Sequence, residues 1–266
     1  MDAKNLDEIK FLAKRLEMLL CLQTYPLAIK MLRVETDIPS TAKRPLRDMS
    51  CHLDVCQGFA MSRRNGETIA LLKQDMWCPE PVIGYGIEAP PEFFLQGNNR
   101  FPQTIMSQEA GTRWAQTFPC INKGDYVGVL SSPLHLADFK PDIFAVYCNP
   151  AQLTQLLRAK DCLDGVDVTC TLSGHAACVF MVVPLLQGMS CNVVSPCRGD
   201  RNFAMAQDDE IIFSARLDML EGLVAALEYL ADQGSGFPSK FLYKQEHELP
   251  LNYEEMGKIM GMKFGG

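Results

Sequence analysis

The stretch Asp142-Ile-Phe-Ala-Val-Tyr-Cys148-Asn-Pro150-Ala-Gln-Leu-Thr-Gln-Leu-Leu-Arg-Ala159 decides the fold class. Its first half is apolar, aromatic and β-branched, which suits a buried strand. Pro150 then falls where a first helical turn tolerates a missing N–H, which predicts a helix over 150–159. A strand passing straight into a helix is the unit of α/β and α+β folds. Upstream, Pro26-Leu-Ala-Ile-Lys30-Met-Leu-Arg-Val34 reads as a strand entered at a proline, and Thr68 to Leu72 and Tyr126 to Ser131 as two more. Downstream, Val166 to Leu172 and Glu210 to Ala215 read as strands. Leu6, Ile9, Leu12, Ala13, Leu16, Leu19 and Leu20 recur at three- and four-residue spacings and predict an amphipathic helix over 5–20.

Further helices are expected over 48–64, closed by the Asn65-Gly66 turn, over 105–118, over 175–183 as far as Pro184, and over 216–230, whose leucine face suits either core or a dimer seam. Segment 75–104 carries prolines at 79, 81, 90, 91 and 102 and glycines at 84, 86 and 97. It predicts a long ordered loop, the kind of segment that carries function in compact domains. The expectation is therefore α/β or α+β. It takes the form of a single mixed-sheet domain over 1–235 with flanking helices and the Pro/Gly-rich loop. A C-terminal extension, 236–266, follows, with a helical pattern over 253–260.

The chain has 266 residues with 25 Lys+Arg against 32 Asp+Glu, a formal charge of −7. That balance argues against a nucleic-acid partner, whose phosphates call for clustered cations. No apolar run reaches about 18 residues, so no membrane partner is expected. The first 20 residues carry acids where a secretory leader is basic, which predicts a cytoplasmic protein with reduced thiols. Neither Gly-x-Gly-x-x-Gly nor a phosphate-cradling Gly-x4-Gly-Lys loop occurs, so nucleotide cofactors have no support.

The unusual number is eleven cysteines, at 21, 51, 56, 78, 120, 148, 162, 170, 178, 191 and 197. No pair is spaced Cys-x-x-Cys, so no ribbon, ferredoxin run or redox pair is present. Ligands drawn from separate segments have no spacing signature, and local context sorts them instead. Cys21, Cys148 and Cys170 sit in apolar elements and read as small buried hydrophobes, and Cys120 and Cys162, at element ends, as structural. Cys78 lies in Trp-Cys-Pro-Glu-Pro, a rigid turn. Cys197 lies in Pro-Cys-Arg-Gly-Asp-Arg, where nearby cations and turn N–H groups favour a thiolate. Cys56 and Cys178 fall on expected helices or helix starts, with His52 and His175 three or four residues upstream, on the same face if helical. Those pairs read equally as core or as ligands.

The order of Pro26-Leu-Ala-Ile-Lys30, Cys56 with Gly58-Phe-Ala60, Cys78, Gly84, Ser132-Pro-Leu134, Asn149-Pro150-Ala-Gln152, Ala177-Cys178 and Cys197-Arg-Gly-Asp-Arg201 resembles the uncharacterised domain of unknown function 169 family, from about residue 10 to 230. The resemblance implies that the Ala-Lys strand, the separated cysteines and the Cys-x-Gly-x-Arg turn recur, and that relatives are common in anaerobes. It raises the standing of Cys56, Cys78, Cys178 and Cys197 and supplies no reaction. Cys51, Cys191 and the tail are additions of this chain.

Four thiols from four segments match the ligand count of an iron–sulfur cluster or of zinc. A 4Fe-4S cluster is the first expectation, because structural zinc is usually bound by close ligand pairs. With three ligands an iron would stay open to substrate as a Lewis acid, and with four, electron transfer or structure follows. Lys30 and Arg201, with Arg198, are the candidates to hold a small anionic molecule or to offset cluster charge, and a redox partner is the other expected contact. Zinc is the alternative metal. A small-ligand binding protein with cysteines that merely pack is the alternative class, and a thiol enzyme using Cys78 or Cys197 ranks last.

Overall fold

The computed structural model describes residues 3–238 and 251–262 of the chain. Six strands form one sheet, β1 (Leu27–Leu32), β2 (Ile69–Leu72), β3 (Gly128–Pro133), β4 (Ile143–Cys148), β5 (Cys191–Val194) and β6 (Ile211–Arg216), in the order β2-β3-β1-β4-β6-β5. Every neighbouring pair is antiparallel, with Ile29 opposite both Ser131 and Ile143, and Val146 opposite Phe213. Among the described residues, parallel pairing is confined to the isolated bridges Lys43 to Ile69 and Leu53 to Met76. The chain is an α+β domain.

Helices cover both faces, which is why all six residues of β3 and of β4 are buried. Side chains alternate between two cores with the strand period of two. Leu27, Ile29 and Met31, with Ile143, Ala145 and Tyr147, join a first core under α2 (Val55–Asn65), α3 (Pro79–Gly84), α4 (Glu92–Leu95), α5 (Gln108–Thr117) and α7 (Ala177–Leu186). Ala28, Leu32, Phe144 and Val146 join a second core under α1 (Ala3–Leu20), α6 (Pro150–Asp164) and α9 (Leu220–Asp232). Leu220, Leu223, Val224 and Leu227 of α9 are buried there, so that face is spent on the core.

Several elements depart from the sequence expectations. Between 48 and 64 the helix begins only at Val55. Pro45–Met49 forms its own wide turn, Ser50 is left-handed at φ 56°, and Leu53 bridges to Met76 before Asp54 caps α2. Among the described residues, Val166 to Leu172 pairs with no strand. Its backbone is met by side chains instead, the Val166 carbonyl by Lys160 Nζ at 2.8 Å and the Val166 N–H by Asp164 at 3.1 Å. The loop over 75–104 contains α3 and α4, each entered at a proline. Helix α7 runs two residues beyond Pro184. The Phe180 carbonyl, which loses its helical donor to that proline, accepts Asn192 Nδ2–H from β5 at 2.9 Å. Cys21, expected in the core, is exposed in a left-handed residue after α1, at φ 49°. Strand β5 and the six-residue helix α8 (Arg198–Phe203) had no expectation.

In the tail, α10 spans Leu251–Ile259, close to the helical pattern at 253–260, while 239–250 and 263–266 lie outside the described residues. Among the described residues no helix is long and apolar enough to cross a membrane.

Candidate functional site

Four helices on the first-core face begin at cysteines. Asp54 caps α2 by accepting the Gln57 N–H at 2.8 Å, while Gln57 Oε1 accepts the Asp54 N–H, and this reciprocal cap sets Cys56 as the second helical residue. Cys78 is the residue before Pro79, where α3 starts. Ala176, left-handed at φ 50°, turns the chain into α7, whose second residue is Cys178. Cys197 precedes α8, and its N–H donates to Asp200 Oδ2 at 3.3 Å. All four cysteines line one cavity of about 320 Å³.

The helix starts are locked together. Gly84 of α3 lies so close to α7 that a Cβ there would stand 2.5 Å from Val179 Cγ1, which only glycine permits. Tyr85, fully buried, donates its hydroxyl to the Cys178 carbonyl at 3.0 Å. Gly199 of α8 offers no side chain to the sulfurs. A Cβ there would touch Cys56 Sγ at 3.4 Å and Cys197 Sγ at 3.5 Å.

The electrostatics of the cavity are set by burial. The Cys56 and Cys178 thiols are pushed well up, first by burial and then by neighbouring acids or thiols. Cys78 is pushed up to about 12, by burial and then Glu80, and Cys197 to about 11, by burial and then Asp200. Working the other way, the nearby backbone N–H groups of Ala177 and Asp200 lower the pKa of the Cys197 thiol, and that of Glu80 lowers the Cys78 thiol. Backbone N–H dipoles placed this way favour the charged, ligating form of sulfur. Cys56 Sγ donates to Asp54 Oδ1 at 2.8 Å and Cys197 Sγ to Asp200 Oδ2 at 3.2 Å. Burial raises the carboxyl pKa of both Asp54 and Asp200. Behind Asp200 stands a buried relay: Tyr147 donates to Asp200 Oδ1 at 2.8 Å, and the Arg63 guanidinium lies 3.9 Å over the Tyr147 ring and pairs with Glu210 at 2.9 Å.

The two cationic candidates are elsewhere. Lys30 sits between Ile29 and Met31, which face the first core, so it projects toward the other side of the sheet. Arg201 is on α8, but it donates to the Gln207 carbonyl at 2.6 Å and does not line the cavity, whereas Arg198 does. His52 is exposed and outside α2, so it shares no helix face with Cys56. His175 does line the cavity, brought there by the turn at Ala176. Cys191 is buried in the second core, on the wrong face, and Cys51 is exposed and outside the lining.

Sequence reasoning missed Asp54, Trp77, Glu80, Arg100 and Phe203, all of which line the cavity. Asp54 had a signal, since an aspartate three residues before a glutamine marks a cap. The Glu80 to Arg100 ion pair had none. Among the described residues no three His, Cys, Asp or Glu side chains are grouped so as to hold an ion. The sulfurs border a space and do not meet at a point.

Fold and site together define an α+β protein with a thiol-lined cavity at the starts of four helices. A family model described as DUF169, uncharacterised ArCR, matches residues 15–226, and the chain belongs to that family. No curated protein and no solved structure matches it.

Proposed function

We propose that the protein holds an iron–sulfur cluster of the 4Fe-4S type through Cys56, Cys78, Cys178 and Cys197. The observation that carries this reading is the common cavity: four cysteines scattered along the chain, out of eleven, line the same space. The donor set fits. All four are soft sulfurs, backbone N–H groups near Cys78 and Cys197 favour their thiolates, and Gly199 leaves the volume between Cys56 and Cys197 free of side chain. The thiol hydrogens of Cys56 and Cys197 point at Asp54 and Asp200, the acceptors beside them when metal binding expels protons. Zinc is less well supported, because it draws its sulfurs to about 2.3 Å from one point, and these border a cavity of about 320 Å³.

Such a cluster, when bound, supplies electron transfer, and Lewis acidity at an iron if only three sulfurs ligate. The protein's own part is to bury the site, to hold the helix starts in register and to offer Arg198 to a small anionic molecule or a redox partner. We assign it to the reducing cytoplasm, where eleven free cysteines stay reduced.

Protein purified without air is expected to be brown, with broad absorption near roughly 400 nm from thiolate–iron charge transfer, and to carry iron and inorganic sulfide. Alanine at any of the four cysteines is expected to abolish iron retention, and alanine at Cys21, Cys162 or Cys170 to leave it intact. Colourless, iron-free protein prepared without air, or equal iron in all seven variants, overturns the reading.

A further inference from the structure

The mouth of the cavity is aromatic. Trp77, the residue before Cys78, and Phe203, at the end of α8, stand edge to face with centroids 5.5 Å apart and planes at 84°. Both line the cavity, yet they are 49% and 52% exposed, so each ring keeps a surface that none of the described residues covers. The corner is held in place: Trp77 Nε1 donates to Gln57 Oε1 at 3.1 Å, the same oxygen that closes the cap of α2. Two large, fixed, half-open rings meeting at a right angle make a seat for one flat ring, which can lie on one face and meet the edge of the other.

The charges round the same mouth are unequal in their satisfaction. Glu80 is paired with Arg100, and Asp54 is engaged by the Cys56 thiol and the Gln57 N–H. Arg198, at the rim, forms no ion pair or side-chain hydrogen bond among the described residues. A guanidinium free to make a forked pair beside an aromatic corner recognises a planar carboxylate.

We propose that the cavity binds an aromatic carboxylate, its ring seated in the corner of Trp77 and Phe203 and its carboxylate paired with Arg198. This rests on the cysteine cavity being the working site and narrows its small anionic molecule to a chemical class. It does not depend on which metal, if any, the sulfurs hold.

Calorimetric titration of air-free protein with benzoate, cyclohexanecarboxylate and benzyl alcohol tests it, with iron measured on the same samples. Benzoate is expected to saturate one site and to bind at least tenfold tighter than cyclohexanecarboxylate, which keeps the charge and loses the ring, and than benzyl alcohol, which keeps the ring and loses the charge. Phe203→Leu and Arg198→Gln, both at exposed positions, are each expected to weaken benzoate at least tenfold with unchanged melting. Benzoate binding no tighter than the two analogues, or undiminished in both variants, overturns the proposal. The iron assay judges the cluster separately: iron-bearing protein indifferent to benzoate sinks the ligand class alone, and iron-free protein that binds benzoate sinks the cluster alone.

Discussion

Arg63, with a side chain only 1% exposed, is the largest fully buried side chain among the described residues and was invisible as such in Ser62-Arg63-Arg64-Asn65, which reads as a charged helix end. Its place depends on Glu210, about 150 residues away, and on the Tyr147 ring, neither of which spacing reveals. Arg63→Met leaves Glu210 without its main partner, and a broken buried pair typically costs about 3–5 kcal/mol. Arg64 lies 3.7 Å from the same carboxylate, so the lower end, about 3 kcal/mol, is expected from urea unfolding. Adding Glu210→Gln is expected to recover more than half of that loss. Cys148 behaves differently because it is a titrating group away from the cavity. Burial, and then Glu210, push its thiol up to about 12. Below pH 8 neither folded nor unfolded chain gives up this proton. Above it the unfolded thiol ionises near about 8.5 while the folded one holds on, so its share of stability is lost as pH rises toward 12. Unfolding midpoints measured from pH 8 to 11 are expected to fall less steeply in Cys148→Ala than in the parent, and an unchanged slope contradicts the assignment.

At the scale of elements, strands β1, β2, β4 and β6 and helices α1, α5, α6 and α9 were legible because each has a clean apolar period or a proline at its start. The helix starts that build the cavity were less so. Cys78-Pro79 announces a start, but Cys56 lay inside a longer expected helix, and α8 was hidden because six residues show no period. What holds the starts together is a contact between helices that no single segment encodes: Gly84 of α3 against Val179 of α7. Gly84→Ala forces a Cβ within 2.5 Å of Val179 Cγ1, and overpacking of this kind costs about 1–3 kcal/mol. Because α3 and α7 carry Cys78 and Cys178, the same variant is expected to lose iron as well as melting temperature. Val179→Ala in that background removes the opposing methyls and is expected to restore both. Loss of stability with full iron retention would show that the two helix starts do not depend on this contact.

At the scale of the molecule, the sequence left α/β and α+β undivided for a physical reason. A sheet covered on both faces gives continuous apolar strands whichever way they run, and only the pairing register settles direction. The same two-sided burial separates stability from site. Leu16, fully buried in the second core, has no part in the cavity, so Leu16→Ala is expected to cost about 2–5 kcal/mol in chemical unfolding while iron content and benzoate binding stay at parental levels. Loss of iron below the unfolding transition in that variant would show that the two faces are coupled. The spread of the four cysteines along the chain also has a consequence in time. Their span, 197 − 56 = 141 residues, means that at a synthesis rate of roughly 5–20 residues per second Cys56 leaves the ribosome on the order of ten seconds before Cys197. The sheet strand β6 that flanks β5 and β4 is made later still. The four thiols and the strand that closes the sheet beside them are thus all present only once residue 216 has been made, so the cavity takes shape late in synthesis.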